Sequence, residues 1–112
     1  MAKPVVVKAD DRYIMCVLPA PHKVDLAKLK GQLAAGSVVL ADEDEIGTLF
    51  PDCELGAEPP FGNLYDMSTV MDKSLEKDDH ILCQAGTHGK AIRMSLADYR
   101  NVVEPKVLEF AY

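Results

Sequence analysis

The residue types able to do chemistry in this chain are few and far apart: Lys3, the segment GAEPPFGN at 56–63, Asp72, and His88 inside the turn GTHG. The segment at 56–63 is the most constrained of these. Gly56 opens backbone angles closed to other residues, and Pro59 and Pro60 fix the chain behind it while offering no N–H. The N–H groups of Gly56 and Ala57, together with neighbouring carbonyls, are therefore the polar groups such a loop is expected to expose. A rigid loop of this kind can aim backbone dipoles at a ligand or a water without a side-chain catalyst. It can equally be a plain structural turn. Lys3 stands just before an apolar run, where a lysine serves either as a pocket group for an anion or carbonyl oxygen or as a solvated terminal charge. His88 can project an imidazole from a strand end or lie on the surface of its turn. Asp72 precedes Lys73-Ser74 and either orients a pocket group or caps the polar connection that follows.

Other chemistries find little support. Cys83 falls within the apolar run ILC, where a thiol is expected to be buried and inert, so a Cys83–His88 pair is a weak nucleophile reading. Ser74 and Ser95 fit caps and turns. The sequence has no glycine-rich phosphate cradle, paired catalytic carboxylates or metal-ligand spacing, and no metal or cofactor is expected. The three cysteines are odd in number and widely spaced, which argues against a disulfide framework and for reduced thiols in a cytoplasmic protein. No apolar run approaches the roughly 20 residues needed to span a bilayer. Twelve basic against eighteen acidic residues give a net charge of -6, so contact with a nucleic acid is expected to be local.

These residues need a frame to hold them. At 112 residues and 48% hydrophobic composition, a single domain over 1–112 with one packed core is expected. Two β-rich runs around Asp10-Asp11 predict a hairpin covered on both faces, closed off by Pro19 and Pro21. Asp25 predicts a helix start carrying Leu26, Leu29 and Leu33 on one face, with Gly36 as its stop. Strands are expected at Ser37 to Leu40, Thr69 to Met71, His80 to Gln84 and Ala91 to Met94. Asp42 with Glu45 predicts a capped short helix, and Ser95 with Asp98 another. Pro105 suits the first turn of a last helix running to Phe110. Residues 51–66 hold three of the seven prolines and two of the seven glycines, an irregular stretch long enough in so small a domain to suggest function. The sum is an α+β domain, a curved mixed sheet or small barrel flanked by helices.

Taken in combination, AKPVVVK at the start, GAEPPFGNLY, the D-K-S-L at 72–75 and AGTHGKAIRMSLADY resemble the YbaK / prolyl-tRNA-synthetase-associated editing domain family. The resemblance runs over nearly the whole chain. It implies a curved mixed sheet with flanking helices and an aminoacyl-tRNA deacylase, which hydrolyses the ester of a small mischarged amino acid on tRNA in trans. It assigns catalytic positions to Lys3 and to Gly56 and Pro60 of a Gly-x-x-x-Pro loop, and substrate-binding positions to Ala57, Asp72 and His88. In this picture loop backbone groups position a water, the substrate's ribose hydroxyl assists, and Lys3 holds the substrate. The alternative is a catalytically inactive binding module of the same fold that recognises a nucleotide, an amino acid or a protein partner. Relatives carry a helix-and-strand region ahead of the lysine. With the chain starting at Met1-Ala2-Lys3, the expectation is a frayed Lys3 and an open sheet edge suited to a homodimer or a synthetase partner.

Overall fold

The computed structural model describes all residues from Met1 to Tyr112. Its first two strands, β1 (Ala2–Ala9) and β2 (Arg12–Pro19), form the expected hairpin, turning at Asp10 with φ of 54°. The Asp10 carboxylate also accepts the N–H groups of Gly36 and Ser37, tying the turn to the segment before the third strand. α1 (Leu26–Leu33) starts where Asp25 accepts the N–H of Lys28. It stops earlier than expected, because Ala34 takes the left-handed conformation at φ 53° and leaves Gly36 outside the cap. β3 (Val38–Leu40) follows, then α2 (Glu43–Leu49) with the full reciprocal cap between Asp42 and Glu45. After the loop come β4 (Ser68–Asp72), β5 (His80–Gln84), β6 (Ala91–Ser95), and α3 (Leu96–Val103) capped by Ser95.

The final segment departs from expectation. Residues Lys106–Leu108 form a strand, β7, where Pro105 had suggested a helix. Glu104 turns left-handed at φ 52° and ends α3, and the run KVL then pairs in parallel with β4. An unfilled sheet edge outweighs a proline's local fitness for a helix start in so short a segment.

The main sheet has the order β3-β1-β2-β4-β7, with antiparallel pairing on the β3-β1-β2 side and parallel pairing across β2-β4-β7. β5 and β6 form a separate antiparallel ribbon. Side chains alternate across β2, so its apolar run serves two cores. Met15 and Val17 join Val6, Met71, Phe50 and Tyr99 on one face. Ile14, Cys16 and Leu18 join Val7, Leu29, Val70 and Phe110 on the other. This is the mixed α+β architecture with a curved sheet and flanking helices that the sequence predicts.

Candidate functional site

Lys3 is not frayed. It pairs with Leu18 inside the β1–β2 ladder, is half-buried, and takes part in no ion pair. By strand alternation its side chain leaves the sheet on the side of Val5 and Val7. Carrying the β2–β4 register one residue beyond Val17↔Met71 puts Asp72 beside Leu18, in the same row as Lys3. Asp72 is 5% exposed, and its carboxylate is fully engaged with its own chain. One oxygen accepts the N–H groups of Phe110 and Ala111 at 2.8 and 2.9 Å, and the other accepts the N–H and hydroxyl of Ser74. Burial alone would raise its pKa, but the hydrogen bonds outweigh that and hold it below the ordinary 3.8. Asp72 closes the fold around the C-terminal segment and lies outside the cavity described next.

That cavity, of about 310 Å³, opens beside β1 where β3 no longer covers it. β3 pairs only with Val7–Ala9, so the backbone edge at Pro4–Val6 forms one wall. Leu40 and Ala41, with Glu43 and Ile46 of α2, form the second, and Leu55, Gly56 and Glu58 the third. The loop of the sequence analysis therefore does line a small-molecule-sized space.

Its construction explains why these residues are there. Gly56 has φ of 86°, a conformation that favours glycine, and a Cβ there would lie in ordinary contact with the His88 ring at 3.5 Å. His88 is brought onto the loop by the turn after β5, and its Nε2 bonds the Leu55 carbonyl at 2.9 Å. A carbonyl only accepts, so Nε2 is the donor in this bond. Deeper in, Ala57 and Pro60 are fully buried. The Tyr99 hydroxyl donates to the Pro60 carbonyl at 2.5 Å, and Phe61 meets the Tyr99 ring edge-on with centroids 5.5 Å apart. Gly62 follows, where a Cβ would fall 2.8 Å from the Met67 carbonyl, too close for any other residue without movement.

The loop's polar groups differ from those expected. Gly56 N–H donates to the Glu58 carboxylate at 3.1 Å, and Ala57 N–H donates to the Glu54 carbonyl at 3.0 Å. The Ala57 carbonyl in turn accepts Gly86 N–H at 2.8 Å, so both neighbours of the cavity are spent inside the fold. What the loop leaves without a protein partner is acceptor character: the carbonyl of the exposed Gly56 and one oxygen of the buried Glu58. Glu58 is the functional candidate that residue-type reasoning missed. Its position between Ala57 and two prolines gave no sign that a charged side chain would be 7% exposed and line the cavity.

The structure thus gathers Gly56, Ala57, Pro60 and His88 into one unit, sets Lys3 just ahead of the β1 segment that lines the cavity, and leaves Asp72 apart. Cys83 is buried and its thiol is pushed upward by that burial, which removes it as a nucleophile. All three cysteines are free. No helix is long and apolar enough to cross a membrane.

Comparison with known proteins bears on the family and the fold. The aminoacyl-tRNA editing domain profile matches residues 1–102. The chain is 29% identical over 101 residues to the multifunctional Ser/Thr-tRNA deacylase ProXp-y of Escherichia coli K12, covering 89% of this chain and 60% of that protein. It is 28% identical over 87 residues to the proline–tRNA ligase of Bacillus cytotoxicus, covering 78% of this chain and 15% of that enzyme. The chain thus spans about 60% of the length of the deacylase it matches. Among solved structures, hypothetical protein APE2540 superposes with a TM-score of 0.89 at 17% identity, covering 100% of this chain and 74% of that one. A structure described as a candidate trans-editing enzyme for prolyl tRNA synthetase gives 0.85 at 17% identity, covering 99% and 69%. At those identities the structural likeness concerns the fold, whereas the profile spans nearly the whole sequence, and the chain belongs to the aminoacyl-tRNA editing domain family.

Proposed function

We propose that this protein is an aminoacyl-tRNA deacylase acting in trans, which hydrolyses the ester between a small mischarged amino acid and the 3′-terminal ribose of tRNA. The observation that carries this reading is the cavity between the Pro4–Val6 edge and the Gly56 loop, in a chain of the editing family. In the reaction, a water oxygen attacks the ester carbonyl carbon, the bond to the ribose oxygen breaks, and that oxygen leaves with a proton. An attacking water is aligned by groups that accept its hydrogens. The Gly56 carbonyl, which receives no hydrogen bond within the protein, is of that kind, so the loop acts through an acceptor rather than through the N–H groups first expected of it. The adjacent ribose hydroxyl assists as a donor to the leaving oxygen. Lys3 holds the substrate from outside the cavity, on its terminal phosphate or carbonyl side. Ala57 and Pro60 shape the wall, and Asp72 supports the row in which Lys3 stands. Discrimination comes from cavity size, with the modest selectivity a single methylene allows.

A deacylation screen over alanyl-, cysteinyl-, seryl- and prolyl-tRNA tests this. Release of at least one small amino acid is expected, and Lys3→Ala is expected to abolish it. Full activity in that variant would remove Lys3 from the mechanism.

One observation favours a second reading, a non-catalytic module that binds a nucleotide, an amino acid or a protein partner. The two N–H groups first expected to face the cavity, those of Gly56 and Ala57, are committed internally and are not offered to a developing oxyanion. Absence of turnover across the panel, with ligand-induced NMR shifts confined to Gly56–Asn63, would establish it. A synthetase partner or a second copy at the exposed β3 edge belongs with either reading, since Val39 and Leu40 are both more than half exposed there.

A further inference from the structure

We propose that Glu58 is the anchor for the α-ammonium group of the aminoacyl ester, an assignment that rests on the editing reading above. A carboxylate is seldom buried without a partner, because removing it from water is costly unless a cation or several donors compensate. Glu58 is 7% exposed, receives one hydrogen bond, from Gly56 N–H to Oε1 at 3.1 Å, and belongs to none of the ion pairs. Its second oxygen is not sealed in protein. The Thr69 hydroxyl is the one buried side-chain polar atom enclosed without a partner, so Oε2 of Glu58 keeps an opening, and the residue lines the cavity. Glu58 thus adds to the largely apolar lining of the cavity a nearly buried carboxylate with one oxygen that no protein donor satisfies.

The complement of that acceptor is a small cation with N–H donors. An ammonium has three, and a second acceptor lines the cavity from another of its walls. Val6 accepts Ala41 N–H at 3.0 Å, so even-numbered residues of β1 turn their backbone groups away from β2. Two residues earlier, the Pro4 carbonyl faces the same way, beyond the end of β3. The other charged lining residue, Glu43 at the rim, is also acidic, which disfavours a phosphate or carboxylate in this space. No three metal-binding side chains converge to suit an inorganic ion. An aminoacyl ester carries one ammonium beside its reacting carbonyl. Fixing that ammonium fixes where the carbonyl sits against the Gly56 loop.

The test uses non-hydrolysable 3′-alanylamido- and 3′-serylamido-3′-deoxyadenosine, each with a free or an N-acetylated amine, titrated into the whole protein alongside deacylation of the matching tRNAs. The wild-type protein is expected to bind at least one free-amine analogue about 10- to 100-fold more tightly than its N-acetyl counterpart. Glu58→Gln, which keeps the acceptor for Gly56 N–H, is expected to bind both forms alike, and Glu58→Asp to retain part of the preference. Melting curves matching wild type show that these variants are folded. Equal wild-type affinity for the two forms, or a preference unchanged in Glu58→Gln, overturns the assignment. Deacylation without any amine preference overturns it while leaving the proposed function standing. An amine preference lost in Glu58→Gln without deacylation of any tRNA supports the anchor and overturns the hydrolysis.

Discussion

Asp72 and Glu58 are buried to nearly the same degree, 5% and 7% exposed, yet they live in opposite circumstances. Asp72 receives four hydrogen bonds from Ser74, Phe110 and Ala111, two on each carboxylate oxygen. Glu58 receives one and lines the cavity beside the Pro4–Val6 edge. Both are carboxyl groups largely removed from water, so the difference lies in what compensates them. The protein itself completes the environment of Asp72. For Glu58 the completion is left to something that comes and goes. A saturated buried carboxylate thus holds a fold together, and an unsaturated one marks a site.

The sharpest way to break this contrast is Asp72→Asn. The amide cannot accept from four donors, and a loss of about 3 kcal/mol or more in unfolding free energy is expected by denaturant titration. The effect depends on pH with a definite sign. The folded-state pKa of Asp72 lies below its ordinary 3.8, so its contribution is fully present above that value and is lost as pH falls through the folded pKa. The gap between wild type and Asp72→Asn should therefore narrow in strong acid, and a gap independent of pH would show that its ionisation is not what stabilises the fold. Next in size is Tyr99→Phe, which removes the hydroxyl bound to the Pro60 carbonyl and leaves that buried carbonyl unpaired. About 1–2 kcal/mol of stability is expected to go, with a fall in kcat/KM of any deacylation larger than that seen for an exposed control such as Glu76→Gln. The smallest effect should come from Glu58→Gln. Its stability is expected to stay within about 0.5 kcal/mol of wild type, since the acceptor for Gly56 N–H survives. A loss as large as that of Asp72→Asn would make Glu58 a second clamp and erase the comparison.

Much of the frame was legible before any coordinates. The hairpin around Asp10-Asp11, the caps at Asp25, Asp42 and Ser95, and the two-sided burial of the β2 run follow from local rules, because each depends on residues within a few positions of one another. The last strand was not legible. Pro105 favours a helix locally, and only the free edge of β4, more than thirty positions earlier, decides otherwise. The same distinction separates the site residues. The shape of the Gly56–Asn63 loop is written in its glycines and prolines, and its partnership with His88 came through family resemblance. Which loop groups remain available could not be read in that way. Gly56 N–H is taken by a side chain two residues on, and Ala57 is locked on both sides, by Glu54 and by Gly86. The role of Glu58 depends on that accounting, and hydrogen-bond accounting requires the folded chain.

The closing of the molecule has a consequence for how it is made. Lys23 and Tyr112 exchange two backbone hydrogen bonds at 2.9 Å, Asp25 N–H donates to the Phe110 carbonyl at 2.7 Å, and Phe110 and Ala111 donate to Asp72. These bonds join positions that emerge from a ribosome at very different times. At about 5–20 residues per second, the hairpin of β1 and β2 waits several seconds for the segment that seals the second core. During that interval β4 presents an unpaired parallel edge and Leu29 and Val70 lack the cover of Phe110. Until residues 106–112 have emerged, the second core lacks both the β7 strand beside β4 and the cover of Phe110.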